Sequence, residues 1–327
     1  MKRINILIRR ISIFIGNIPK ILMVSKFAQR IRFSMHNIYL PGLGGSSLYE
    51  VYGFFIKALQ KGSIGTRAAA FSFNFFLALF PAIIFFFTII PYVPVEGFQD
   101  KLLDLLGNFI PEKTYESVRS TLFDIIKRPR GGLLSLGFVM ALYFSTNGIF
   151  RLIDAFNQSR HTVDKRTWVQ KRLVSIALVL ITSLLIVLSI IILSLSPLVV
   201  NLLIKYNLLR MSVGYYLIMV GKWIVITAML LLGYSFLYYL GPAAESRFKF
   251  ISAGSLLSTS LTILATIGFN YYVNNLSRYN TLYGSIGTLI ILMVWINFLA
   301  NIIIIGFELN VSILNAQKNN EYAESVQ

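Results

Sequence analysis

Asn297, Asn301 and Glu308 lie in or at the end of one long apolar stretch, and their type and spacing could support chemistry. Separations of four and seven residues place them on one helical face. In a second apolar stretch Asn147, Arg151 and Asp154 also share a face, with Arg151 and Asp154 spaced for an ion pair. A third contains Asn74 and then Pro81, which cannot donate to the Leu77 carbonyl and so predicts a kink with a freed acceptor. Polar groups are expensive in hydrocarbon, so they either bridge helices or line a pathway. Both readings stay open. In the structural one, Asn side chains bond across helices, and Arg151 neutralises Asp154 or Glu308. In the functional one, Asn74, Asn147, Arg151, Asp154, Asn297, Asn301 and Glu308 line a polar substrate cleft, where Glu308 or Asp154 could accept a proton.

A second set is cationic. Arg67, Arg160, Lys165, Arg166, Lys171 and Arg172 border the apolar stretches and could hold anionic lipid headgroups at a cytoplasmic edge. The bias of cytoplasmic loops toward Lys and Arg accounts for the same residues without a substrate. Enzymatic chemistry finds less material. Zero Cys and two His leave no thiolate catalysis and no three-histidine zinc centre. His36 and His161 are too few and too far apart to read as an acid and base pair, and no carboxylate cluster has metal-ligand spacing. The run PGLGGSS at Pro41 to Ser47 lacks the Lys and following Ser or Thr of a phosphate-binding loop and reads as a hinge. No catalytic residue, metal site or cofactor is therefore expected.

The elements that must carry these residues follow from composition. The 327-residue chain is 56% hydrophobic and 13% charged, with mean hydropathy +0.71. A soluble domain carries about a quarter charged residues, so this balance argues against a soluble enzyme. The net charge of +17 could indicate nucleic acid. Here, however, the cations cluster between apolar runs, as in a membrane protein facing anionic lipid, and no nucleic-acid partner is expected.

A membrane-spanning helix needs about 20 apolar residues. Six stretches qualify: Ala68 to Ile90, Leu133 to Phe156, Leu173 to Pro197, Val213 to Leu240, Phe248 to Val273, and Ile286 to Phe307. The fourth contains Lys222 and could begin near Trp223. With the amino terminus inside, 20 of the 30 basic residues fall on the cytoplasmic side, and both termini are expected there. The outer segment 91–132 holds six basic and six acidic residues. Its apolar positions, Phe98, Leu102, Leu105, Leu106 and Phe109, then Val118, Leu122, Ile125 and Ile126, predict two short amphipathic helices.

Residues 1–47 form a basic cytoplasmic or interfacial extension. Ile4, Leu7, Ile8, Ile11, Phe14, Ile15 and Ile18 recur there at helical spacing, opposite Lys2, Arg3, Arg9 and Arg10. Residues 48–315 make the six-helix domain and 316–327 a cytoplasmic tail. In the fifth span Gly254, Ser258, Thr262 and Thr266 form a small-residue ridge suited to close helix packing. The expected fold is all-α: a polytopic membrane protein with six transmembrane helices plus amphipathic interfacial helices.

Four segments carry a resemblance. They are RAAAFSFNFFLALFP from Arg67 to Pro81, GGLLSLGFVMALYFSTNGIFRLIDAFN from Gly131 to Asn157, YSFLYYLGP from Tyr234 to Pro242, and YGSIGTLIILMVWINFLANIIIIGFELN from Tyr283 to Asn310. Together they resemble the YihY/virulence factor BrkB family over roughly Leu48 to Asn315. Phe307 stands where that family usually carries Ala, and the basic amino-terminal extension is not a general family feature. The resemblance implies a six-helix protein of the bacterial cytoplasmic membrane. It also brings an old ribonuclease label, generally regarded as misassigned, and a suspected role in moving lipid or another envelope component. A membrane scaffold for envelope assembly is the competing expectation, with membrane lipids, envelope-assembly proteins or further copies of the chain as partners.

Overall fold

The computed structural model describes residues 45–325 apart from 62, 95, 110–111, 161–163, 207–210, 244–248 and 277–284. The expected amino-terminal helix, His36 and His161 lie outside the described residues. Within them the chain forms nine α-helices: α1 (Leu48–Lys61), α2 (Ile64–Ile89), α3 (Phe98–Phe109), α4 (Glu112–Lys127), α5 (Gly131–Ser159), α6 (Trp168–Lys205), α7 (Met211–Leu240), α8 (Ala253–Leu276) and α9 (Ser285–Ser325). No strand occurs among the described residues. Among the described residues six segments are long and apolar enough to cross a membrane: Ile64–Tyr92, Gly131–Ser159, Trp168–Lys205, Tyr216–Leu240, Ala253–Val273 and Leu289–Ala323. The protein is thus an all-α polytopic membrane protein, and α3 and α4 are the two expected amphipathic helices. The fourth spanning helix runs unbroken past Lys222, which is exposed. Likewise α2 passes through the buried Pro81 without ending.

The six long helices close a ring. α2 packs on α5 and α9, α9 on α8, α8 on α7, α7 on α6, and α6 on α5. Lipid tails are as apolar as leucine, so close packing and internal hydrogen bonds must hold such helices together. Both devices appear where α8 crosses α9. The Gly254 amide donates to Asn310 Oδ1 (2.8 Å), and Asn310 Nδ2 donates to Ser252 Oγ (2.8 Å). At Gly306 a side chain would collide with Ser258 Oγ, the Gly254 carbonyl and the Tyr238 hydroxyl. Tyr238 in α7 donates to the Ile303 carbonyl (2.7 Å) and shares a 2.6 Å hydrogen bond with Ser258 Oγ, which ties three helices together. Thus Gly254 and Ser258 of the small-residue ridge meet α9, while Thr262 bonds Tyr234 of α7 (2.6 Å).

Burial is concentrated toward one end of the bundle. Ala68 and Phe71 of α2, Leu152, Ile153 and Phe156 of α5, Leu237 and Tyr238 of α7, and Ala300, Ile304 and Phe307 of α9 form one core. Phe156 stacks on Phe307 at 4.1 Å between ring centres, and Tyr238 meets Phe156 edge-on at 5.7 Å. The cations from Arg67 to Arg172 named above gather at this same end, termed the basic end below. Toward the other end large apolar side chains such as Phe86, Ile186, Ile190 and Tyr216 stand exposed, as expected of surfaces solvated by acyl chains.

α1 was not anticipated from the hydropathy pattern. A capping box starts it: the Glu50 amide donates to Ser47 Oγ (3.3 Å) and the Ser47 amide to Glu50 Oε2 (3.1 Å). Its apolar face lies on α9, where Val51 packs with Ile313 and Ala316. α9 continues as a helix to Ser325, and Asn320 Nδ2 reaches back to Glu50 Oε2 (3.1 Å).

Candidate functional site

At the basic end α1, α2, α5 and α9 surround a cavity of about 350 Å³. Its floor is an ion pair between Arg67 Nη2 and Glu308 Oε1 at 2.7 Å, with the two residues 9% and 3% exposed. Arg67 Nη1 also donates to the Ala155 carbonyl (2.9 Å) and to Ser159 Oγ (2.5 Å). Ser159 Oγ lies 2.7 Å from Glu308 Oε1 and 3.1 Å from the Ala155 carbonyl, so its single proton serves one of two acceptors. Arg67 Nε is buried with no hydrogen-bond partner among the described residues. Above this floor, Lys57 stands exposed while Phe54, Ala58 and Val311 supply an apolar wall. Ser63, Gln158, Ser312 and Asn315 add polar groups. The arrangement joins buried charge, an exposed cation and apolar surface in one recess, which suits an amphipathic anion.

The residues expected to form one cleft divide into separate groups. Arg67, expected at an exposed edge, is buried and committed to Glu308. Glu308 is neutralised from α2, across 241 positions, and not by Arg151. Asn297 Nδ2 makes a long contact to Ser72 Oγ (3.4 Å), while Asn301 Nδ2 turns back to the Asn297 carbonyl (2.8 Å) and Oδ1 (3.0 Å). Asn297 and Glu308 of the stripe thus meet α2, while the bonds of Asn301 stay within α9; the spacing accounts for the shared face and the packing of α2 on α9 for its partner. Asn74 bonds within its own helix, to the Ala70 carbonyl (2.8 Å).

Asn147, Arg151 and Asp154 lie toward α6 and the outside of the ring. Asn147 Oδ1 accepts from Arg172 Nη1 (2.6 Å), and Asp154 pairs with Lys171 (3.9 Å) rather than with Arg151. Arg151 is exposed. The reason is angular: at about 100° per residue, Arg151 falls on the side of α5 opposite Ile149, Leu152, Ile153 and Phe156, which fill the core.

Of the remaining cations, Arg166 closes a second polar cluster. Its Nε and Nη2 reach the two oxygens of Asp164 (3.1 and 3.0 Å), and Nη2 also donates to the Gly241 carbonyl (2.9 Å). Asn157 Nδ2 donates to Asp164 Oδ2 (2.8 Å) and its Oδ1 accepts from the Ala243 amide (2.9 Å). The connection from α5 to α6 is thereby clamped to the end of α7. Burial raises the Asp164 carboxyl, but the Arg166 hydrogen bonds and charge, with Lys171 nearby, outweigh it and hold the group below its ordinary 3.8. Arg160 ends α5 with its amide on the Phe156 carbonyl (3.2 Å), and Lys165 is exposed.

Hydropathy could not find Lys57, Ser159 or Asp164. Ser47 and Glu50, spaced as Ser-x-x-Glu, were the available signal for α1 and hence for one wall of the cavity. Among the described residues no group of three or more His, Cys, Asp or Glu could hold a metal.

Comparison with known proteins accords with this architecture. The chain is 27% identical over 248 residues to the putative ribonuclease-like protein YfkH of Bacillus subtilis (strain 168), covering 75% of this chain and 88% of that protein. It is 26% identical over 250 residues to a UPF0761 membrane protein of Alkalilimnicola ehrlichii, covering 74% of this chain and 53% of that protein. A UPF0761 membrane protein of Photobacterium profundum is 32% identical over 77 residues, 24% of each chain. No solved structure matches the chain. The Virulence factor BrkB profile matches residues 55–326, which takes in all six spans and both partners of the buried ion pair, and the chain belongs to that family of membrane proteins.

Proposed function

We propose that this protein moves, or helps to move, an amphipathic envelope molecule across the bacterial cytoplasmic membrane, with a phospholipid or an anionic lipid precursor as the substrate class. In this reading both termini are cytoplasmic and the basic end faces the cytoplasm, in accord with the bias of Lys and Arg. One observation carries the proposal: the cavity of about 350 Å³ whose floor is the Arg67–Glu308 pair and which Lys57 lines from α1. A buried ion pair contributes little net stability, because desolvation offsets its Coulombic gain. At a cavity floor it can instead exchange one partner for a bound anion. An anionic headgroup fits Lys57 and Arg67, and its apolar portion fits Phe54, Ala58 and Val311. No ATP-binding motif occurs in the sequence, so movement is passive, ion-coupled or driven by a partner.

The experiment is fluorescent-lipid translocation in liposomes that contain the full chain, read by quenching the outer leaflet. Lys57→Gln and Ala58→Trp are the informative variants, since both sit on the cavity and neither touches the buried pair. Translocation that needs the chain and falls when Ala58→Trp fills the recess is the expected result. Translocation at the rate of empty liposomes, or unaltered by Ala58→Trp, would remove this cavity from a transport role.

A scaffold for envelope assembly is the second reading, favoured by α1 laid against the last turns of α9, where Val51 meets Ile313 and Ala316 and Glu50 meets Asn320. Its partners would be envelope-assembly proteins or further copies of the chain. Deleting residues 1–45 separates the two: a scaffold loses a partner, whereas a transport core keeps its activity. Catalysis, and with it a nucleic-acid partner, is not part of the proposal. The ribonuclease-like name belongs to the Bacillus subtilis relative.

A further inference from the structure

The outer face where α5 meets α6 carries cations in excess of its carboxylates among the described residues: Arg151, Lys171 and Arg172 against Asp154. Arg151 lies in the span Gly131–Ser159, eight residues from its end or about 12 Å along the axis, and is exposed on the side away from the core. It makes no hydrogen bond or ion pair among the described residues. One helical turn away, Asn147 accepts from Arg172 Nη1 (2.6 Å), which brings a second guanidinium onto the same face. That guanidinium lies over the ring of Tyr143 (5.1 Å) and within reach of Trp168 (5.9 Å), side chains 54% and 67% exposed. Lys171 lies beside Phe150 at 5.8 Å. Asp154 on this face feels the charge of Arg151 without forming an ion pair with it, and lies 3.9 Å from Lys171, which is itself 3.4 Å from Asp164. Asp164 is taken by Arg166.

An arginine facing lipid within a span is costly unless it reaches a compensating anion, and with Asp154 shared between Lys171 and Arg151, lipid phosphates are the anions that can complete the compensation. Exposed Val169 and Leu173 flank the patch with apolar surface, while Trp168 and Tyr143 are side chains that favour the headgroup level. We propose that Arg151, Arg172, Trp168 and Tyr143 form a binding site for an anionic phospholipid, whose phosphate bridges the two guanidinium groups and whose chains lie along the outer wall of α5 and α6. The site is separate from the Arg67–Glu308 cavity and does not rest on transport.

The test reads binding alone. The full chain, with Trp168 made its sole tryptophan by Trp223→Phe and Trp295→Phe, is placed in phosphatidylcholine bilayers containing brominated phosphatidylglycerol or, in the paired sample, brominated phosphatidylcholine. Stronger quenching by the anionic lipid gives the preference at the site. Arg151→Gln and Arg172→Gln are each expected to lower that preference by about fivefold, as one cation near the membrane surface contributes. Arg151→Lys should retain most of it, and Lys127→Gln should leave it unchanged. Equal quenching by the two lipids, a preference untouched by Arg151→Gln, or an equal loss in Arg151→Lys would overturn the proposal. Circular dichroism on each variant separates loss of the site from loss of the helices.

Discussion

Arg67 of α2 and Glu308 of α9 meet at 2.7 Å inside the bundle, joining the first and last membrane spans. Each charge is nearly removed from solvent, so each depends on the other. Removing one partner of a buried pair costs about 3–5 kcal/mol, because the remaining charge is left uncompensated. Glu308→Gln is therefore expected to lower thermal stability in detergent strongly, and Arg67→Met with Glu308→Leu to recover a large part of the loss. Equal destabilisation in the single and double variants would mean that the two charges are not coupled. For the same reason a loss of transport in Glu308→Gln alone does not make Glu308 a proton carrier.

The crossing of α8 and α9 predicts a sharp contrast among glycines. Gly306→Ala forces a methyl into Ser258 Oγ, the Gly254 carbonyl and the Tyr238 hydroxyl, whereas a side chain at Gly268 meets nothing within 4 Å. Overpacking costs about 1–3 kcal/mol, and more where backbone stands in the way. Folded yield and melting temperature should drop for Gly306→Ala and stay level for Gly268→Ala.

The Asp164 clamp predicts a dependence on acid. Its carboxyl is held below the ordinary 3.8, so the stability it contributes is present above that value and is lost as pH falls through the lower, folded-state value. Asp164→Asn should thus be less stable than the parent at neutral pH, and the difference should shrink once pH drops below 3.8. A gap that stays constant across this range would separate the clamp from the charge on Asp164.

Phe307 predicts how the core bears truncation. It is fully buried, stacked on Phe156 at 4.1 Å and beside Tyr238 at 5.7 Å. Phe307→Ala leaves a void between α5, α7 and α9, and because lipid is as apolar as the core, the cost comes from lost packing contacts. Lower thermal stability with unchanged helix content is the expected signature, and Phe307→Leu should lie between the two. A melting temperature unmoved by Phe307→Ala would mean that the helices close around the void.

Six membrane spans and the amphipathic pair α3 and α4 were legible in the sequence, because crossing hydrocarbon and lying on its surface impose hydropathy patterns along the chain itself. The shared face of Asn297, Asn301 and Glu308 was legible too, since helical periodicity alone sets it. Which helix that face meets was not. Arg67 is 241 positions from Glu308, and only the packing of α2 on α9 decides that it, and not Arg151, neutralises the carboxylate. Arg151 and Asp154 have the right spacing for a pair, yet Lys171 of α6 takes Asp154 and Arg151 turns outward. Local spacing states which contacts a helix permits, whereas the order of helices around the ring selects among them. The cavity has the same origin, because its walls come from α1, α2, α5 and α9, brought together only when the ring closes.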